Sequence, residues 1–230
     1  MILVTGGTGL LRPIRSRPCR RLPWLRNSND TAPHMKNRTM LITMVAASLA
    51  TLQANAADTY TIDPAHTRVG FSARHFGINN VKGVFREFAG TLVLDGEVLK
   101  EATATIQVQS IATGVAQRDN HLRTADFFDA TNYPTINFKT KRIEKQRNDF
   151  IMVADFTMRG VTKELRLPVT LSKPIKDPWG ATRVGLEAKT KLNRKDYGIR
   201  YNDLLESGIP AVGDEIEIEI NAEATRPAAK

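Results

Sequence analysis

From residue 58 onward, apolar and polar positions alternate with a period of two. Ala104, Ile106 and Val108 alternate with Thr103, Thr105, Gln107 and Gln109. Ile136 and Phe138 alternate with Asn137 and Lys139, and Phe150, Met152, Ala154, Phe156 and Met158 share one face. Leu165, Leu167, Val169 and Leu171 are interleaved with Glu164, Arg166 and Thr170; Val184, Leu186, Ala188 and Leu192 with Arg183, Glu187, Lys189 and Lys191. Ile216, Ile218 and Ile220 alternate with Glu215, Glu217 and Glu219. Each run predicts a strand with one apolar and one polar face.

The pattern places about eight strands near 59–62, 67–73, 81–95, 102–110, 134–144, 149–158, 163–172 and 182–193, with a further long one at 213–224. Gly83 and Gly90 mark expected bulges or bends inside 81–95. Asn148-Asp149 and Arg159-Gly160 read as tight turns. Helical signal is confined to 117–129, enough for one or two turns. An all-β chain of long antiparallel strands points to a sandwich or, better, a closed tilted barrel, which leaves no exposed edges. The interior of an eight-stranded barrel either packs solid or holds one small ligand, and alternation does not distinguish the two.

Charge divides the chain in a way that changes the reading of its ends. The 230 residues carry a net charge of +9, but residues 1–57 hold eight basic groups and one acidic group, a net of +7. Residues 58–230 hold 25 basic and 23 acidic groups, a net of +2, which removes the case for a nucleic-acid partner. From Met35 a short basic stretch, an apolar run from Met40 to Leu52 and the small residues Ala54 and Ala56 form the three parts of a secretory signal peptide. Cleavage would start the mature chain at Ala57 or Asp58 and mark it for secretion. Residues 1–34 read as a non-native upstream extension. Their opening Gly6-Gly7-Thr8-Gly9 resembles a nucleotide-binding turn, but Pro13, Pro18 and Pro23 preclude the helix that such a turn requires. The expected organisation is therefore an extension at 1–34, a leader at 35–57 and one barrel domain at 58–230.

The barrel domain has no cysteine, which excludes thiolate catalysis, Cys-ligated metal and internal disulfides there. One tryptophan, Trp179, and four tyrosines are too few for the aromatic girdles of a membrane barrel. His66, His75 and His121 form no local metal-ligand pair, and no Gly-x-Ser-x-Gly elbow is present. Asp126 and Asp129 flank two phenylalanines, where they act as turn caps or, alternatively, as paired acid–base carboxylates. The polar run Gln117 to Arg123 ties a helical turn to strand ends or, alternatively, forms a barrel mouth that orients a polar head group. No catalytic residue, metal ligand or cofactor is assigned.

The ordered motifs resemble those of the YceI-like family of bacterial polyisoprenoid-binding proteins. They include Ile62-Asp63-Pro64-Ala65-His66-Thr67, Val81-Lys82-Gly83-Val84-Phe85, the run from Ala116 to Asp129, Tyr133-Pro134-Thr135, Asp155 to Lys163, Asp177-Pro178-Trp179-Gly180 and Arg194 to Gly198. The resemblance runs through 58–226 and implies an extended eight-stranded, lipocalin-like barrel. It also implies an apolar tunnel for an isoprenoid lipid such as a polyprenyl chain or quinone tail, a periplasmic or secreted location, and frequent homodimers. No catalytic activity is implied. On that basis the apolar faces nominate Phe71, Ile106, Val108, Ile136, Phe138, Met152, Phe156 and Leu186 as tunnel lining. The bends at Gly83 and Gly90 leave the faces of Phe85 and Phe88 unassigned. A head group would sit near His75, Arg118, His121 or Arg194. The alternatives are an enzyme using His121 or the Asp126/Asp129 pair, and a metal or haem stress protein using His66, His75 and His121.

Overall fold

The computed structural model describes residues 57–147 and 149–228. The expected extension at 1–34, nearly all of the expected leader at 35–57, and Asn148 lie outside the described residues. The elements are β1 (Asp58–Ile62), β2 (Arg68–His75), β3 (Asn79–Phe85), β4 (Phe88–Asp95), β5 (Val98–Gln107), β6 (Ile111–Ala112), α1 (Ala116–Arg123), β7 (Thr135–Gln146), β8 (Asp149–Met158), β9 (Val161–Leu171), β10 (Ile175–Lys176), β11 (Thr182–Asn193) and β12 (Val212–Arg226).

Eight strands close a ring in the order β11, β9, β8, β7, β5, β4, β1, β12, and β12 pairs back onto β11 along twelve residue pairs. The long β12 meets β1 at Ala224 and Thr225 and β2 from Asn221 down to Val212, so β1 and β2 share one side of it. The break between them is set by Pro64, which lacks an N–H, and by Asp63, whose carboxylate accepts from Ala65 N at 3.0 Å to cap a 3-10 turn at Pro64–His66. The expected strand 81–95 is likewise two strands, β3 and β4, parted at Arg86 and Glu87.

Gly83 and Gly90 are not the bulges their positions suggested. Both stay in regular register, opposite Phe71 and Ala104. The irregularities fall instead at Val93/Leu94, Thr140/Arg142 and Val212/Ile216. The turn at Arg159-Gly160 is as expected. Both residues have positive φ, 51° and 72°, and they join the paired Met158 and Val161, the two-residue geometry that suits the strand twist.

One ladder in the wall stops early. β9 and β11 pair only from Leu171–Leu186 to Val169–Ala188. The next residue of β9 is Pro168, which has no N–H to give. Below it the two strands run side by side without paired backbone, each held by its other neighbour.

The helix is shorter than its expected span, eight residues from Ala116, followed by turns through Asn132. So short and polar a segment is not stable alone. Asp119, 8% exposed, holds it by accepting from Thr113 N at 2.8 Å and Thr113 Oγ1 at 2.6 Å. Arg123 donates to Gln109 O and Ile111 O, both at 2.9 Å.

Candidate functional site

The barrel interior is packed at one end and hollow at the other. Tyr60, Leu94, Leu99, Val169 and Val184, each no more than 2% exposed, fill the end near the β4–β5 turn. Beyond them lies an apolar cavity of about 200 Å³. Its walls include Gly70, Ala73, Ala89, Ala102, Ala104 and Ala222. Of these, Ala73, Ala102, Ala104 and Ala222 sit on the inner face, opposite Ile216, Leu92, Phe138 and Leu186, and leave unfilled space that large side chains would occupy. Along β12 the lining runs from Val212 to Ala222, roughly 30 Å of strand. The cavity is therefore elongated.

Seven of the eight expected lining residues face this cavity: Phe71, Ile106, Ile136, Phe138, Met152, Phe156 and Leu186. Phe85 and Phe88, unassigned by the pattern, line it as well. Val108 does not. It is 1% exposed and sits in a 3-10 turn at Val108–Ser110, packed in the core with Ile111 and Phe127. The strand ends at Gln107, so the alternation expected through Gln109 does not continue there. Ser110 Oγ donates to Gln107 O at 2.6 Å, so a side chain supplies the bond that ends the strand. Ile216, Ile218 and Ile220 of β12, and Leu122, Phe127 and Phe128 from the helical region, also line the cavity and are not among the expected lining residues.

At the open end a second, more polar cavity of about 390 Å³ adjoins the first. Phe71, Ala73, Leu122, Phe127 and Val212 line both. His75, Arg118 and His121 come together here, from β2 and α1, with Arg74, Tyr201 and Asp203. Arg118 donates Nε to Thr113 Oγ1 at 2.7 Å and Nη2 to Thr113 O at 3.0 Å. His121 Nε2 is 2.9 Å from Asp126 Oδ2, and its ring meets Phe127 and Tyr201 edge-on at 5.1 Å. The Tyr201 hydroxyl donates to Asp203, a bond that pushes its ionisation upward. Asp129 accepts from Asn132 instead of joining Asp126, as a turn cap does.

Arg194 lines the apolar cavity, but its polar atoms are taken. The residue is 2% exposed. Its Nε donates to Gly213 O at 3.0 Å, Nη1 to Ile199 O at 3.0 Å and Tyr201 O at 2.7 Å, and Nη2 to Val212 O at 3.1 Å and Asp214 Oδ1 at 3.0 Å. A guanidinium has five N–H donors, so none remains for a head group. Arg194 pins the segment 199–214 to the barrel. Burial pushes its ionisation down, and Asp214 opposes that shift.

The three histidines are not assembled. His66 lies at the start of β2 and His75 at its end, roughly 25 Å of strand apart. His66 Nδ1 is 2.8 Å from Asp63 Oδ2, in a group with Glu223. That group already holds a cation: Arg183 bonds Glu223, lies 3.4 Å from Asp63, and donates Nε to Asp177 at 2.7 Å. Among the described residues, no helix is long and apolar enough to cross a membrane.

A closed antiparallel barrel with an apolar interior sealed at one end and a polar mouth at the other defines a β-barrel binding protein of the lipocalin-like shape. The YceI-like domain model matches residues 60–224, and the chain belongs to that family. Protein YceI of Shigella flexneri is 32% identical over 196 residues, covering 84% of this chain and 99% of its own. The YCEI protein of Campylobacter jejuni superposes with a TM-score of 0.59 at 29% identity, covering 67% of this chain and 90% of that one. A polyisoprenoid binding domain from Saccharophagus degradans, implicated in plant cell wall breakdown, matches with a TM-score of 0.53 at 16% identity over 73% of this chain and 98% of that one.

Proposed function

We propose that the protein is a periplasmic carrier that sequesters an isoprenoid lipid, a polyprenyl chain or quinone tail, inside the barrel. The observation that carries this reading is the elongated apolar cavity ending in a mouth with His75, Arg118 and His121. Burying apolar carbons stabilises by about 0.8 kcal/mol per CH₂, so one five-carbon isoprene unit contributes on the order of 3–4 kcal/mol before ordering costs. A narrow apolar tube favours such a chain over a compact polar metabolite. The description of the Saccharophagus degradans domain as polyisoprenoid-binding supports the same class of ligand. The leader-like sequence from Met35 supports the compartment. In this reading the tail lies along Phe71, Phe138, Met152, Phe156 and Leu186, and the head group stays among the mouth residues.

The test is organic extraction of the protein purified from periplasm, followed by mass spectrometry. An isoprenoid in near-stoichiometric amount is expected. The Ala104→Phe variant, which places a ring in the cavity, should fold and lose most of it. Finding no isoprenoid in the unaltered protein would overturn the reading.

A further inference from the structure

The exposed apolar side chains of the mouth are not scattered. Ile78 is 80% exposed, Leu204 59%, Ile209 42% and Leu205 40%. Ile78 stands on the β2–β3 hairpin, the others on the segment before β12. The two segments are tied together. Phe76 N donates to Ala211 O at 3.1 Å, and a β-carbon on Gly77 would lie 3.7 Å from Cγ2 of Ile209. Leu204 and Leu205 also line the mouth cavity. They form an apolar rim at the opening of an apolar tunnel.

The charges around the rim narrow the choice of what covers it. Arg74 bonds Gly77 O and Asn80, Arg118 bonds Thr113, and Arg123 bonds carbonyls and Asn120. Arg159 bonds the carbonyls of Gly198 and Ala125. None of these four arginines bonds a carboxylate, whereas Arg183 and Arg226 at the packed end do. The carboxylates facing the same opening are Asp126, beside His121, Asp203, bonded by Tyr201, and Glu206 on the rim segment. Apolar side chains standing proud of uncancelled arginines match a bilayer surface that carries anionic head groups.

We propose that this rim seats on an anionic phospholipid bilayer with the mouth facing it. The proposal rests on the lipid-carrier reading: such a cargo passes between two apolar phases, and contact at the mouth removes the water between them. The packed end also exposes apolar residues, Trp179 at 82% and Ile175 at 63%, but neither lines the apolar cavity or the mouth. Trp179 is therefore the control.

The experiment is flotation of the purified protein with phosphatidylethanolamine–phosphatidylglycerol vesicles, with isoprenoid content measured on the same samples. The protein is expected to float. Ile78→Asp combined with Leu204→Asp should lower the bound fraction at least tenfold with an unchanged melting temperature, and Trp179→Ser should leave it unchanged. Three results would overturn the proposal: no flotation; flotation that Trp179→Ser abolishes and the aspartates leave intact; or a homodimer in sedimentation that the aspartates dissociate, which assigns the rim to a second copy. Isoprenoid present without flotation sinks the docking and leaves the carrier standing. Isoprenoid absent sinks the carrier whatever the vesicles show.

Discussion

Phe71 covers Gly83, its cross-strand partner on β3, so closely that a β-carbon at Gly83 would sit 2.3 Å from Cζ of the ring. The glycine thus sets the position of an aromatic that lines both cavities. A Gly83→Ala substitution forces the ring away from the wall. We expect a loss of about 1–3 kcal/mol from overpacking and a reduced content of extracted lipid. Gly90→Ala should be worse for stability, because its β-carbon would meet the backbone oxygen of Thr103 at 2.4 Å, and backbone cannot swing aside as a side chain can. Thermal melts of both variants, with lipid content for the first, check this ordering.

Arg194 gives a different kind of prediction. Removing it takes this donor from four carbonyls and leaves the Asp214 carboxylate with Lys195 alone. Arg194→Met should destabilise the protein by about 3–5 kcal/mol, the range for breaking a buried charged network. Arg194→Lys should recover only part of that, since an ammonium has three donors and cannot fork. Hydrogen exchange should accelerate first in 199–214, the segment that these bonds hold, and least in β7 and β8.

Arg194 also marks where sequence reading stops. Arg194-Lys195-Asp196-Tyr197-Gly198 looks like a surface turn, and its acceptors Ile199, Tyr201, Val212, Gly213 and Asp214 come from the chain beyond it. Nothing local announces that the guanidinium is full. The strands were legible because burial imposes a period of two: Ile216, Ile218 and Ile220 point inward, while Glu215 and Glu219 pair outward with Lys191 and Lys189. The hollow was not legible, because alternation reports polarity and not volume. The available signal was the set of small residues at inward positions, Ala102 and Ala104 on β5 and Ala222 on β12.

Acid should weaken the packed end. The hydrogen bond from Arg183, then the amides of Ala181 and Trp179, hold the Asp177 carboxyl below its usual range against a desolvation effect that raises it. His66 and the Ala65 amide do the same for Asp63. A carboxyl with a depressed folded pKa contributes stability that is complete above its unfolded value of about 4 and is lost as pH falls through the lower folded value. Stability should therefore hold near neutrality and decline between about pH 5 and pH 2. Asp177→Asn should be less stable at neutral pH and should lose less over the same acid range, as read by denaturant midpoints at each pH.

Pro168 makes the last prediction. The β9–β11 ladder ends at Val169–Ala188, and the register would next set Pro168 opposite Lys189 and Leu167 opposite Thr190. Proline supplies no N–H there, so the ladder loses a bond at its first step past the pairs that exist. The partner β8 continues to pair with β9 as far as Val161, so the strand itself does not end. Backbone amides of 161–167 that point toward β8 should exchange slowly, and those that point toward β11 should exchange rapidly. Pro168→Thr restores the donor at an exposed position with a residue suited to strands. We expect protection to spread from Val169 toward Leu165 on β9 and from Ala188 toward Leu192 on β11. Unchanged exchange in both strands would mean that side-chain packing, not the missing donor, holds the seam apart.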